Sequence, residues 1–182
     1  MKFFRDKLYE DITIPAPPKD DIGEAAEVKR LIANRTAEQE KSIADHDEVP
    51  FYAIKKYCDD NKMMFHKDEF KDIIYGATDT INYFKDKFDR KRPIEVDKTL
   101  DTSPSKTNKT PSYPSGHAAQ SRIVARYVAG KFPEHEANLI EAGNECGYGR
   151  VLAGFHYPSD YEVGNLLGEK MYKLMSKENY IK

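Results

Sequence analysis

The chain has no tryptophan, only two cysteines and almost no excess charge of either sign, and each shortage removes a class of protein. Cys58 and Cys146 are too few for a metal-binding set and read as small apolar residues. With 29 basic against 31 acidic residues, a formal charge of -2 gives no global pull toward nucleic acid or an anionic membrane. Any anion site must be local. No window approaches the ~18 apolar residues of a membrane span, and charges interrupt the opening Met1 to Lys7 where a secretory leader needs an apolar stretch. The expectation is therefore a soluble protein, cytoplasmic or otherwise, without membrane insertion. Internal repeats, strand–helix alternation and a glycine-rich nucleotide loop are also missing.

What is present suits one folded domain. The chain has 182 residues, 39% hydrophobic and 33% charged, which is polar but too apolar and too balanced for wholesale disorder. Pro15, Pro17 and Pro18 remove backbone donors and fix φ, so residues 1–19 read as an extended arm and 20–182 as the domain. Asp20 or Asp21 caps a helix expected to run to about Ala44, and a shorter helix is expected from about Pro50 to Asp59. Phe70, Ile74, Ala77, Ile81, Phe84 and Phe88 then recur at steps of four and three, one apolar stripe on a long helix that ends near Arg92-Pro93. Residues 94–113 lack periodicity and read as a flap loop. Helices are expected again over about 115–131, 134–152 and 159–177. The fold class is all-α, a bundle of about six helices.

Three segments carry chemistry. Lys85 and Arg92 are seven residues apart, about two helical turns, so both cations can project from one helix face toward one anion. Tyr113-Pro114-Ser115-Gly116-His117 lies where the loop turns into a helix. There Gly116 permits close backbone approach, the first helical N–H groups lack partners and Ser115 adds a hydroxyl, which together suit a phosphate cradle beside His117. In Gly149 to Asp160, Pro158 breaks any continuous helix, so His156 falls in a connection and Asp160 in the next helix's first turn, able to reach back to the imidazole. Taken singly, these segments also fit a solvated basic helix end, a capped helix start and a structural His–Asp pair.

In combination, Lys-x6-Arg-Pro, Pro-Ser-Gly-His and Arg-x5-His-x3-Asp resemble the signature of the phosphatidic acid phosphatase type 2 superfamily, and the soluble class A non-specific acid phosphatases in particular. The resemblance implies an acid phosphatase or vanadium haloperoxidase-like helical fold and a metal-independent phosphomonoesterase acting on small soluble esters. It assigns His156 as the nucleophile that forms a phosphohistidine, Asp160 as its partner and His117 as acid and then base. Lys85, Arg92, Ser115, Gly116 and Arg150 would bind the phosphate. No cofactor is implied, and vanadate would act as a phosphate mimic. The family's usual serine before the third-segment arginine is Gly149 here, which implies a missing phosphate hydroxyl.

Two alternatives stand beside this reading: a vanadium-dependent haloperoxidase, whose family resembles the same motif in longer chains, and a non-catalytic phosphate-binding module. The partner expected is a small phosphorylated substrate, with no nucleic acid, and a homo-oligomer is left open. Asp45-His46-Asp47-Glu48 and His135-Glu136 contain metal-ligand residue types but no spaced partner set. His66 reads as a helix-start residue.

Overall fold

The structure, a computed structural model, describes residues 3–65 and 67–175. His66 and the end of the final expected helix, residues 176 and 177, lie outside them. The described residues form eight α-helices and two 3-10 turns, with no strand among them: α1 (Asp21–Ala33), α2 (Ala37–His46), α3 (Tyr52–Asp60), α4 (Lys67–Phe88), α5 (Pro93–Val96), α6 (Gly116–Lys131), α7 (Glu136–Leu152) and α8 (Pro158–Lys173).

Helix α6 is the axis. Its buried side chains are mostly small, among them Ala118, Ala119, Ser121, Ala125 and Ala129, so α7 and α8 pack closely on it. On α8, a Cβ at Gly164 would lie 2.6 Å from the Ser115 carbonyl oxygen, so only glycine allows the helices to meet there. The α4 stripe packs as its spacing foretells: Phe70, Ala77, Ile81 and Phe84 are buried, with Ile74 and Phe88 against the same core. Burying a side chain of this size contributes roughly 1.5–3 kcal/mol.

The fold departs from the sequence expectation in three places. The first expected helix is two, because Thr36 accepts from the Gln39 amide while the Gln39 side chain accepts from the Thr36 amide, a capping box that restarts the helix. The arm is packed as well as extended. It contains a 3-10 turn (Leu8–Asp11) and places Phe3, Phe4, Leu8, Ile12 and Ile14 in the core. Residues 94–113 begin with the single turn α5 and then cross the site end of the bundle without regular structure. Arg35, in the link between α1 and α2, pins that crossing by donating to the Asp101 carbonyl, the Ser103 hydroxyl and the Leu152 carbonyl.

Candidate active site

Lys85 projects from the last turn of α4, but Arg92 is not on that helix. Asp89 takes a left-handed conformation at φ 43 and ends α4, and Arg92 is extended ahead of Pro93 as the cap of α5. The expectation of two cations on one helix face is thus corrected: a turn, not a helical repeat, returns Arg92 to Lys85's neighbourhood. The Lys85 ammonium donates to the Pro111 carbonyl at 2.6 Å. The Arg92 guanidinium donates to the Thr110 carbonyl through Nε and to the Phe155 carbonyl through Nη1, both at 2.8 Å.

Ser115 caps α6, receiving the Ala118 amide on its hydroxyl, so the free N–H groups of Gly116 and His117 point out of the helix start. A Cβ on Gly116 would approach Lys85 Cε at 3.7 Å, which places this helix start beside the first cation. At the other end of the site, α7 closes with the Phe155 amide on the Arg150 carbonyl and Gly154 at φ 80, a left-handed C-cap that turns the chain to present His156. Tyr157 then caps α8, donating its amide to Asp160 Oδ2 at 2.9 Å. Asp160 is thereby held 3.4 Å from His156 Nδ1.

These contacts settle both tautomers. His156 Nε2 faces a donor, Arg92 Nη1, at 3.3 Å, so Nε2 carries the lone pair and Nδ1 the proton that faces Asp160. His117 Nε2 lies 2.9 Å from the Asp47 carbonyl, which can only accept, so its proton is on Nε2 and its lone pair on Nδ1.

All eight residues named from the sequence are brought to one place, and Lys85, Arg92, Ser115, Arg150, His156 and Asp160 are buried. The electrostatics follow. Burial, then Arg92 and Arg150, pushes the Lys85 ammonium down to about 7. Burial and Arg150 lower Arg92 to about 10. Burial holds His156 well below its ordinary value, reinforced by Arg92, Lys85, Arg150 and His117. Burial with Arg150 lowers His117 to about 3. Both imidazoles are neutral at neutral pH. Arg150 Nε has no hydrogen-bond partner among the described residues. Buried cations that repel one another around neutral histidines make a site complementary to a compact dianion.

Sequence reasoning missed several residues that complete the site. Asp47, noted only as a possible metal ligand, instead accepts from Arg150 Nη1 at 2.7 Å, from the Ser105 hydroxyl and the Lys106 amide, and from the Thr107 hydroxyl. Burial opposes its ionisation, yet those hydrogen bonds and Arg150 win and hold its carboxyl well below the usual range. No group of three or more metal-ligand side chains converges among the described residues. His135 Nδ1 is engaged instead with the Tyr57 hydroxyl at 2.9 Å. Ser112 donates to Asp160 Oδ2, and Arg90, a filler position in the Lys-x6-Arg motif, donates to Asp160 Oδ1. At Gly149 an added Cβ would approach Ile43 on α2 at 3.7 Å, whereas Ser105 and Thr107 bring hydroxyls to Arg150.

A sequence model described as the PAP2 superfamily matches residues 73–177, which include all three motif segments but neither Asp47 nor α1. The chain is 34% identical over 92 residues to an acid phosphatase of Zymomonas mobilis, the match covering 49% of this chain and 35% of that protein. It is 40% identical over 57 residues to a non-specific acid phosphatase of Salmonella typhi, covering 31% of this chain and 23% of that one. The matches thus span well under half of these curated relatives. Among solved structures, a transmembrane PAP2 type phosphatidylglycerolphosphate phosphatase from Bacillus subtilis superposes with a TM-score of 0.58, covering 87% of this chain and 85% of that one. At 16% identity this likeness speaks to the fold alone.

Proposed function

The chain belongs to the PAP2 superfamily, and we propose that it hydrolyses phosphomonoesters through a phosphohistidine on His156, with small soluble esters as substrates. The observation that carries this reading is the set of buried cations Lys85, Arg92 and Arg150 around a neutral His156 whose Nε2 carries its lone pair toward them, facing Arg92 Nη1. In the first step Nε2 attacks phosphorus as the ester P–O bond breaks. His117 gains a proton on Nδ1 once the bound dianion offsets Arg150, and passes it to the departing alcohol. A water then gives its proton back to Nδ1 and attacks phosphorus, breaking the P–N bond and restoring neutral His156. Lys85, Arg92, Arg150, the Ser115 hydroxyl and the Gly116 amide hold the phosphoryl oxygens, where charge builds in the transition state.

Cations and neutral donors suit an anion and repel a divalent metal, so metal independence and competitive inhibition by vanadate are parts of the proposal. The acid phosphatase relatives support phosphoester hydrolysis. The Bacillus neighbour makes a lipid phosphate the competing substrate, although no described helix here is long and apolar enough to cross a membrane. The test is rapid quench of His117→Ala with labelled p-nitrophenyl phosphate under excess chelator, a substrate whose leaving group needs little protonation. Acid-labile label should accumulate on His156. Label on His117, or label trapped in His156→Ala, would overturn the assignment. Sugar phosphates, nucleotides and phosphatidate in the same assay separate soluble from lipid substrates.

A further inference from the structure

Arg90 is buried in the turn between α4 and α5, at 5% exposure, and its donors are fully committed. Nη1 donates to Asp160 Oδ1 at 2.7 Å and to the Ser159 hydroxyl at 2.8 Å. Nε and Nη2 donate to Asp21 Oδ1 at 2.9 and 2.8 Å, and Nη2 also donates to Glu24 Oε2 at 2.6 Å. The guanidinium face lies 3.9 Å from the Tyr157 ring centroid, which fixes its plane. Glu24 in turn receives the amide and hydroxyl of Ser159, so the start of α8 is tied to α1 at the residue before Asp160.

Asp160 is fully buried, and its Oδ2 already serves the Ser112 hydroxyl, the Tyr157 amide and His156. Arg90 is the partner of its other oxygen and its direct ion pair. A guanidinium that meets carboxylates on two sides fixes where one carboxylate points and how much of its charge remains for others. We propose that Arg90 is a positioning residue: through Asp160 it sets the orientation and effective charge seen by His156, and through Asp21 and Glu24 it makes α1 part of the active site. The inference rests on reading His156 as the nucleophile, and it extends the site to a helix outside the residues matched by the family.

His156 faces Lys85 of α4, Arg92 ahead of α5, Arg150 of α7, His117 of α6 and Asp160 of α8. Arg90 faces Asp160, Asp21, Glu24 and Tyr157. If Arg90 loses its charge, nothing offsets the charge of Asp160 on that side, and its full attraction draws a proton to the His156 ring at higher pH.

The experiment is an NMR titration of the His156 imidazole in the full chain, compared among wild type, R90M, R90K and the double variant D21N/E24Q, with a thermal melt of each. In R90M the ring should titrate at least about one pH unit higher than in wild type. R90K, which keeps the charge but loses the planar fork, should show a smaller rise. D21N/E24Q leaves the cation wholly to Asp160, so the ring should titrate no higher than in wild type. An unmoved ring in R90M, or in R90K should R90M not fold, would overturn the proposal. So would an equal rise in D21N/E24Q, because general loosening would then explain the effect. The readout needs no turnover: a ring that moves as described in a protein that hydrolyses no ester would sink the phosphatase reading and leave this one standing.

Discussion

Lys85 offers the sharpest test of how the cradle receives an anion. The residue is 4% exposed, and its ammonium is hydrogen-bonded to the Pro111 carbonyl and lowered from 10.5 to about 7 by burial and by Arg92 and Arg150. At about 1.36 kcal/mol per unit, holding the charge at this buried position costs roughly 5 kcal/mol. A tetrahedral dianion beside it reverses that balance, so binding above pH 7 must draw a proton onto Lys85. Sulfate is the suitable probe because its own charge does not change in this range. Calorimetry near pH 8.5 in buffers of differing ionisation enthalpy should detect close to one proton taken up per sulfate. Affinity should fall as pH rises, by up to about tenfold per unit between pH 7 and 9. Lys85→Met should bind more weakly at pH 6 and lose both the proton uptake and the slope. Wild-type binding without proton uptake, or an unaltered slope in Lys85→Met, would refute the reasoning.

Three further outcomes follow from particular contacts. Asp47 is held below the carboxylate range, so its contribution to stability is present above its unfolded value of 3.8 and is lost as pH falls toward the lowered value. Asp47→Asn should therefore cost about 1–3 kcal/mol at pH 7 in urea unfolding and flatten the loss of stability below pH ~4. Gly154→Ala puts a Cβ at φ 80 and 2.9 Å from Ile32 Cδ1 and Thr102 Cγ2, which should lower stability by about 1–2 kcal/mol and the melting temperature with it. Gly149→Ser has room beside Ile43 and should leave sulfate affinity unchanged by calorimetry; a clear gain would mean that a hydroxyl at 149 does reach the anion.

The helical class, the α4 stripe and the eight clustered residues were legible because each depends on local spacing or on a compact motif. The break between α1 and α2 was also legible, since Thr36-x-x-Gln39 is a capping signal that a run of helix-forming residues obscured. Arg92's route to the site was not, because a left-handed Asp89 leaves no periodic trace. Asp47 and Arg90 act through partners 103 and 70 residues away in sequence. Nothing local distinguishes a carboxylate that steadies a distant arginine from one on a solvated helix end.

The mutual repulsion of Lys85, Arg92 and Arg150 also bears on how a turnover would finish. On the proposed reaction, orthophosphate leaving the cradle would expose these charges to one another again, beside the Thr110 and Pro111 carbonyls that already touch two of them. The product would be held by the same forces that recruit the substrate, so added orthophosphate should compete with substrate in a steady-state assay.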